Sequence, residues 1–353
     1  MGKKVRLGFV GAGFMGQKAH LANYRDLVLE GDDIELVAIC DPRIELAKLV
    51  AERHGIGKAF TSHEEMMKNC EIDALVAIQF YGNHRHLIAQ LAEYGKPIIT
   101  EKPLSLSVKA GEELVEIEKK HGVMHMVGYH KRSDPATMYA KDLIETWKKT
   151  GEFGKMTYIR ITMPPGDWVG GVQKMLVTDE PITANVNEPL PAEFTPEVGK
   201  QYDGFVNYYI HQINMMRHLM GGNYTMDYAD ASGKILAVKG PDGVCGVIEM
   251  SPYENTVDWQ EAMLIGFEKG YIKVELPPPL AHLQAGRVSV MKDNDPATRG
   301  TFVPMMDCRH AMMQQAMNFL AAVRGERAPM CTSAEALEDL KSARDYIQLF
   351  NKA

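Results

Sequence analysis

A short apolar strand that stops at a Gly-x-Gly-x-x-Gly turn constrains the fold of this 353-residue chain more than any other feature. The apolar run is Leu7 to Val10, and the turn places glycines at positions 11, 13 and 16. In such a turn the first glycine permits a tight bend, the second lets the backbone approach a pyrophosphate, and the third lets the next helix pack against the strand. The unpaired N–H groups at the start of that helix favour phosphate. The stretch therefore predicts a dinucleotide-binding site.

A carboxylate follows the second predicted strand. The apolar run Ile34 to Cys40 ends at Asp41, slightly beyond the distance of about 20 residues at which an acidic residue of such a unit binds the ribose 2′-hydroxyl. A carboxylate there repels a 2′-phosphate, so we expect NAD rather than NADP. Arg43 is a nearby guanidinium that could tolerate the phosphate. The alternative for Asp41 is a structural cap on the helix that starts near Pro42.

The first third of the chain alternates strands and helices. Apolar runs at 73–79, 97–100 and 123–127 predict further strands, and helical spacing predicts helices at 44–54, 62–69, 84–94 and 107–121. Strands separated by helices of this length form βαβ units. The fold class is therefore α/β, with a doubly wound parallel sheet over residues 1–128, and ligands are expected beyond the carboxyl ends of its strands.

A second domain is expected over residues 129–330. Its strand candidates follow one another without regular helices between them, which indicates an open, mostly antiparallel sheet. They are 155–163, 235–238, 246–250, 262–267, 271–275 and 288–291. Residues 331–353 contain an amphipathic helix that we expect to pack back on the first domain.

Composition and charge exclude several classes of protein. Hydrophobic residues make up 45% of the chain and charged residues 24%, with a net charge of −7, so we expect a packed core and no nucleic-acid or membrane partner. Five widely spaced cysteines suggest reduced thiols in a cytoplasmic protein. The N-terminus enters the first strand directly, which leaves no room for a signal peptide.

The sequence Glu101-Lys102-Pro103 follows the strand at 97–100 directly. Pro103 favours an extended backbone at Lys102, which directs the ammonium group over the strand end. A lysine beside a nicotinamide can orient a substrate hydroxyl and share its proton. The alternative is a solvated turn.

With these motifs the chain resembles the glucose-fructose oxidoreductase / inositol dehydrogenase / rhizopine-catabolism (Gfo/Idh/MocA) family. The resemblance rests on the glycine turn, on Cys40-Asp41-Pro42, and on the runs 95–104, 128–135 and 319–325. It extends over nearly the whole chain, except for 164–200 and 280–308. It implies homodimers or homotetramers that associate through the C-terminal sheet.

The resemblance also implies site residues. Lys102 becomes the catalytic lysine, Glu101 and Lys102 border the nicotinamide ribose, and His84 lies near the dinucleotide. Phe80 and Tyr81 replace the family's usual Pro-Asn, which weakens the assignment of Tyr81. The expected cofactor-binding residues are Gly11, Ala12, Gly13, Phe14, Met15, Gly16, Asp41, Arg43, Gln79, Tyr81, His84, Glu101 and Lys102.

A helix predicted over 201–221 supplies the remaining catalytic candidates. Asn207 and His211 are four residues apart and would share a helix face. The family's Asp-x-x-x-His-x-x-Asp pattern appears here with Asn207 and Asn214 in place of both carboxylates. An amide cannot accept a proton, so His211 becomes the expected base with Lys102 as its partner, while Asn207 orients the substrate. The alternative for His211 is a structural histidine.

A long insert at 163–200 suggests a lid or a binding loop. Trp168 could stack on a sugar ring or could anchor the loop as a buried residue, and Asp167 could bind a sugar hydroxyl. The expected substrate contacts are Tyr129, Arg132, Asp167, Trp168 and Tyr208. The histidine pairs 84/86 and 121/125 do not complete a ligand set, so we expect no metal site.

These observations favour an NAD-dependent oxidoreductase acting on a secondary hydroxyl of a sugar, polyol or glycoside, with carbon 3 of a pyranose as the preferred position. One alternative is an enzyme that cleaves glycosides through a transient 3-keto sugar and elimination. The other is a non-catalytic NAD-binding sensor.

Overall fold

The computed structural model describes residues 4–169, 174–181, 188–251, 253–254 and 256–352. Residues 1–3, on which the expected absence of a signal peptide partly depends, lie outside these ranges. The chain forms two compact units, and each is assembled from segments distant in sequence. The first unit contains Met1–Tyr129, Gln173–Gly199 and Gln315–Leu340, and the second contains His130–Val172, Lys200–Gln314 and Lys341–Ala353. The three-segment division at 128/129 and 330/331 remains a prediction.

A six-stranded parallel sheet forms the centre of the first unit. Its spatial order is β3-β2-β1-β4-β5-β6, which confirms the doubly wound sheet. The strands are β1 (Val5–Val10), β2 (Ile34–Cys40), β3 (Lys58–Phe60), β4 (Ala74–Ala77), β5 (Ile98–Glu101) and β6 (His125–Gly128). All residues of β4, β5 and β6 are buried, as expected for strands covered on both faces.

Helices connect these strands, and their ends follow local capping rules. They are α1 (Ala22–Leu29), α2 (Ile44–His54), α3 (His63–Asn69), α4 (His84–Ala92) and α5 (Val108–His121). The hydroxyl of Ser107 accepts a hydrogen bond from the third helical amide of α5, which then ends at left-handed Gly122. The segment after the glycine turn differs from the predicted regular helix, because Gly16–Leu21 is a π-helix that leads into α1.

An eight-stranded sheet forms the centre of the second unit. Its order is β14-β13-β12-β11-β7-β10-β9-β8. Among the described strands of this sheet, only β7 and β10 pair in parallel, which confirms a mostly antiparallel sheet. The strands are β7 (Met156–Met163), β8 (Thr225–Ala229), β9 (Ile235–Lys239), β10 (Cys245–Met250), β11 (Glu261–Phe267), β12 (Gly270–Leu276), β13 (Arg287–Lys292) and β14 (Gly300–Phe302).

The single helix predicted over 201–221 is two helices in the structure. They are α7 (Pro196–Tyr208) and α8 (Ile210–Met220), separated at Tyr209. Asn207 therefore lies in the last turn of α7 and His211 in the first turn of α8. The expectation of one continuous helix is therefore wrong at Tyr209, whereas the shared face expected of the two side chains stays a prediction.

Three further helices complete the described chain: α6 (Pro135–Thr150), α9 (Ala311–Val323) and α10 (Ser333–Phe350). Asp134 caps α6 by accepting a hydrogen bond from the Ala136 amide at 2.8 Å, and Pro135 occupies the first helical position. Trp147 of α6 stacks on Phe153 with ring centroids 3.8 Å apart and meets the edge of Phe267 in β11. This aromatic cluster fixes α6 to the sheet of the second unit.

Candidate dinucleotide site and candidate catalytic residues

The glycine turn at the end of β1 has the geometry that its sequence requires. Gly11 adopts φ +105°, and a Cβ at this position would lie 2.2 Å from the carbonyl oxygen of Ile78. A Cβ on Gly16 would lie 2.9 Å from the carbonyl oxygen of Gly11. Only glycine fits these two positions, because the backbone is left-handed at the first and the π-helix packs closely on the turn at the second.

Gly13 is different, because the space beside it is open. A Cβ built on Gly13 would meet no atom of the described residues within 4 Å. The residue also lines a pocket of about 500 Å³ at the carboxyl edge of the parallel sheet. Because Gly13 has no side chain, a group in this pocket can approach the backbone of the turn closely, which is what a bound pyrophosphate requires.

The pocket brings together six of the thirteen expected cofactor-binding residues. Ala12, Gly13, Phe14, Asp41, Arg43 and Gln79 all line it. They come from the ends of β1, β2 and β4, which are neighbours in the sheet. Met15, at the start of the helical segment, is only partly buried.

Asp41 is 4% exposed, and its carboxylate accepts hydrogen bonds from two residues. The Ala12 amide donates to Oδ2 at 2.9 Å. Arg43 donates its amide and Nε to Oδ1 at 3.0 and 2.9 Å, and its Nη2 to Oδ2 at 3.0 Å. These bonds fill the roughly four acceptor positions of a carboxylate. A ribose hydroxyl that binds Asp41 must therefore displace part of the Arg43 interaction.

Part of the long insert also lines this pocket. Residues 175–178 and Glu180 form one wall, and Gln17 exchanges two side-chain hydrogen bonds with the backbone of Leu176 at 3.0 and 2.9 Å. The guanidinium of Arg53 donates to the Lys174 carbonyl at 3.1 Å. The insert is therefore a component of the first unit at this point.

The end of β5 carries Glu101 and Lys102. Oε1 of Glu101 lies 2.8 Å from Nε2 of His20, and both side chains are buried. Oε2 of Glu101 accepts a hydrogen bond from the Lys102 amide at 3.3 Å. Lys102 itself is partly exposed. Since β5 pairs with β4 and β4 pairs with β1, Lys102 follows the strand two positions from the glycine turn.

Two of the predicted cofactor-binding residues, His84 and Tyr81, are buried and contact other residues of the protein. His84 is fully buried, its Nδ1 lies 3.1 Å from the Leu104 carbonyl oxygen, and burial lowers its pKa to about 4. Tyr81 is 7% exposed and its ring lies 4.5 Å from that of Phe80. The buried position of His84 does not support the expected contact with a dinucleotide.

The catalytic candidates of the second unit lie on either side of the break at Tyr209. Asn207 is exposed and His211 is partly buried. The His211 ring meets the buried His130 ring edge-on, with centroids 4.9 Å apart. His211 therefore has a fixed aromatic neighbour within its own unit.

The predicted substrate contacts divide into buried and accessible residues. Arg132 is 1% exposed and its Nε donates to Oδ1 of Asn214 at 2.8 Å, a structural contact that does not support a substrate role. Tyr129 is 2% exposed.

The other expected substrate contacts are less buried. Asp167 accepts a hydrogen bond from the Val169 amide. Tyr208 is partly buried, and burial raises its pKa to about 12. Trp168 is 38% exposed, so the alternative of a buried anchor is wrong.

Three residues of this region were not expected from the sequence. His20, Gln17 and Glu180 each make a side-chain contact with a residue far away in the chain. Gln17 and His20 lie directly after the glycine turn, so their position was the one available signal. No sequence pattern marks Glu180.

The described residues contain neither a metal-ligand cluster nor a helix suited to a membrane. No group of three or more His, Cys, Asp or Glu side chains in these ranges is arranged to hold a metal ion. No helix within the same ranges has the length and apolar character that crossing a membrane requires. No disulfide joins the five cysteines, all of which are described.

The parallel sheet, the glycine turn and the carboxylate after β2 define a dinucleotide-binding domain of the doubly wound class. The open position at Gly13 and the acceptor at Asp41 fit NAD. Residues 5–129 match the family model of the Gfo/Idh/MocA proteins, an oxidoreductase family with an NAD-binding Rossmann fold. Over these residues the chain is similar to the NAD-binding domain of that family.

Individual relatives are similar over different shares of their length. The scyllo-inositol 2-dehydrogenase (NAD(+)) of Bacillus subtilis (strain 168) is 25% identical over 360 residues, which cover 97% of this chain and 92% of that protein. The myo-inositol 2-dehydrogenase of Thermotoga maritima is 26% identical over 236 residues, which cover 65% of this chain and only 58% of that protein. The solved structure of levoglucosan dehydrogenase with NADH and levoglucosan has a TM-score of 0.71 at 18% identity, over 99% of this chain and 97% of that one. This last likeness shows a shared fold.

Proposed function

We propose that this protein is an NAD-dependent dehydrogenase that transfers a hydride between a secondary hydroxyl of a cyclic polyol or sugar and nicotinamide. The observation that carries the proposal is the pocket formed by the glycine turn and Asp41, in the same sheet that ends in Glu101 and Lys102. The names of the inositol dehydrogenases among the relatives support the substrate class.

The proposed roles follow from the chemistry of each side chain. Asp41 and the backbone of the turn hold the cofactor, which supplies a hydride acceptor at its nicotinamide. Lys102 orients the substrate hydroxyl by donating a hydrogen bond, and His211 accepts the hydroxyl proton, since an imidazole titrates near neutral pH. Asn207 orients a second hydroxyl. Trp168, which is accessible in its unit, offers an apolar face to a sugar ring.

Within this class we propose carbon 3 of a pyranose as the oxidised position, and a homodimer or homotetramer that associates through the eight-stranded sheet. The sheet of the second unit supplies a broad surface of eight strands. Size-exclusion chromatography with light scattering measures the oligomeric state, and a monomer would contradict this part of the proposal.

The test is a panel of inositols, sugars and aryl glycosides with NAD⁺ and NADP⁺, followed by absorbance of the reduced cofactor. Lys102→Ala and His211→Ala should each lower kcat by about 100-fold or more, the range expected for loss of a proton-transfer group, while NAD⁺ binding stays intact. Lys109→Ala, on the first turn of α5, is a matched control that should leave kcat unchanged. Full turnover in both variants would contradict the assigned roles.

Two other outcomes of the same panel would favour other functions. Release of an aryl alcohol without net NADH would indicate redox-neutral glycoside cleavage through a 3-keto sugar. NAD⁺ binding without turnover on any substrate would indicate a sensor.

A further inference from the structure

A carboxylate from the insert binds the start of α2. Oε1 of Glu180 accepts a hydrogen bond from the Glu45 amide at 3.0 Å, and Oε2 accepts one from the Leu46 amide at 2.9 Å. These are the second and third residues of α2, whose amides have no partner within the helix. The hydroxyl of Thr178 donates to the same Oε2 at 2.8 Å. Glu180 thus caps a helix from a position 135 residues further along the chain.

This helix start adjoins the ribose end of the pocket. α2 begins directly after Arg43, and Arg43, Asp41 and Glu180 line the same pocket. In doubly wound folds the segment after β2 distinguishes the two cofactors, because an acidic residue binds the 2′-hydroxyl and a nearby Arg accommodates a 2′-phosphate. The start of a helix is itself an anion-binding position. Glu180 occupies two amides of this helix start that would otherwise be open to an anion such as a 2′-phosphate.

The negative charges of Asp41 and Glu180 both stabilise the charged form of Arg43. Hydrogen bonding to Asp41 raises the pKa of Arg43, and the nearby charge of Glu180 adds to this effect. Burial opposes ionisation of Glu180, but the amides of Glu45 and Leu46 together with the Thr178 hydroxyl outweigh it and keep the pKa of Glu180 below its usual value. The carboxylate is therefore charged at neutral pH. A ribose that displaces Arg43 from Asp41 leaves the guanidinium with a second carboxylate nearby.

We infer that Glu180 is a specificity-determining residue, which selects NAD over NADP by occupying the anion position at the start of α2 and by compensating the charge of Arg43. This inference rests on the proposed function, because it concerns the cofactor of that reaction. It assigns a role to a part of the insert that does not resemble the family. It also means that Asp41 is not the only carboxylate that excludes a 2′-phosphate.

Binding measurements on the intact protein test the inference without turnover. Isothermal titration calorimetry gives Kd for NAD⁺ and NADP⁺, and for 5′-AMP against adenosine 2′,5′-bisphosphate as adenosine-end probes. Glu180→Gln removes the charge and keeps the size, and Glu180→Ala removes the cap. Both should shift the ratio of the two dissociation constants toward NADP⁺ by about tenfold, since a like charge is removed and helix amides are released.

Glu188→Gln is the matched control. Glu188 is a second carboxylate of the same insert and also accepts backbone amides, from Arg85 and Leu106 at 3.0 Å each, but it does not line the pocket at Asp41. This variant should leave the NAD⁺/NADP⁺ ratio unchanged. Thermal melting of each variant establishes that it is folded.

The outcomes separate the inference from the proposed function. A wild-type protein that binds NAD⁺, with an unchanged ratio in folded Glu180→Gln and Glu180→Ala, would overturn the inference alone. A wild-type preference for NADP⁺ would also overturn it. A wild-type protein that binds neither dinucleotide would overturn the proposed function together with the inference.

Discussion

The buried imidazole of His20 lies 2.8 Å from the buried carboxylate of Glu101. His20 belongs to the π-helix that follows the glycine turn, and Glu101 ends β5 immediately before Lys102. This hydrogen bond connects the segment that would hold the pyrophosphate to the strand end that carries the proposed catalytic lysine. We regard His20 as a positioning residue.

Replacing His20 should therefore affect the catalytic step. His20→Ala leaves Glu101 buried without this donor, which should cost about 1–3 kcal/mol of stability and lower kcat with a small change in the Kd of NAD⁺. His20→Gln, which can donate from its amide, should restore much of kcat. His54→Leu is a control, since His54 is another buried histidine of this unit and its removal should leave kcat unchanged. Equal kcat in His20→Ala and wild type would contradict the positioning role.

The first and second glycines of the turn should respond differently to alanine. Gly11→Ala forces a side chain into a left-handed backbone and against the Ile78 carbonyl, so we expect a loss of about 2–4 kcal/mol in the free energy of unfolding. Gly13→Ala meets no described atom and should fold with wild-type stability, while NAD⁺ binding is lost. Urea unfolding and calorimetric titration measure the two effects. Unchanged NAD⁺ affinity in Gly13→Ala would contradict the assignment of this pocket.

The second unit contains a buried ion pair, Lys131 and Glu261, and the effects of replacing its two members on stability should not be additive. Nζ of Lys131 lies 2.6 and 2.7 Å from the carboxylate oxygens of Glu261, both residues are 3% exposed, and Gln212 also donates to Glu261. Burial lowers the pKa of Lys131, and Glu261 opposes this shift. Glu261→Leu alone should cost about 3–5 kcal/mol, because it leaves a buried charge without its partner.

The double variant of this pair, Lys131→Met with Glu261→Leu, should be more stable than Glu261→Leu alone in urea unfolding. Lys273 and Glu275 form an ion pair of 2.8 Å on β12, but their side chains are 40% and 47% exposed. Removing this control pair should cost less than about 1 kcal/mol. Equal losses at the two pairs would show that burial does not determine the energy.

The attachment of the insert at Glu188 should depend on pH. Burial raises the pKa of Glu188 to about 7 from an unfolded value of 4.5, against the amides of Arg85 and Leu106 and the charge of Arg85, while Glu113 acts with burial. Since the folded state keeps a proton that the unfolded chain has lost, the stabilisation is complete below pH 4.5 and is lost as pH rises through 7.

Wild-type stability should therefore fall more between pH 5 and 8 than that of Glu188→Gln, measured by urea unfolding in buffers of equal ionic strength. Glu193→Gln is the control, because Glu193 is an exposed carboxylate of the same segment. It should retain the wild-type pH dependence. Parallel curves for wild type and Glu188→Gln would contradict the prediction.

The sequence predicted the elements whose signal is local. Apolar runs located most strands of both sheets, and the glycine spacing located the turn that lines the proposed dinucleotide pocket. It missed β3, β8 and β14, because few of their residues are buried and they lack the continuous apolar run that marked equally short strands such as β4 and β5. It also missed the break at Tyr209, because the apolar pattern continues across it with helical spacing.

The partners of the site residues were harder to predict for a different reason. Asp41 was identified, but its engagement by Arg43 depends on side-chain rotamers. The contacts of Gln17 with Leu176 and of α2 with Glu180 join positions 159 and 135 residues apart. Such pairs depend on the path of the insert, and no local periodicity encodes that path.

The first unit is built from three separate segments of the chain, and this limits how the protein can be divided or recombined. The amide of Val127 in β6 donates to the Cys331 carbonyl at 2.9 Å, and Met126 forms a β-bridge with Thr332. A gene fragment that ends at residue 129 would encode the whole parallel sheet, yet it would lack this cover on β6 and the wall at 175–180. Exchange of cofactor domains between relatives must therefore transfer three stretches of sequence together. The insert and the glycine turn have to come from the same relative, because they line one pocket.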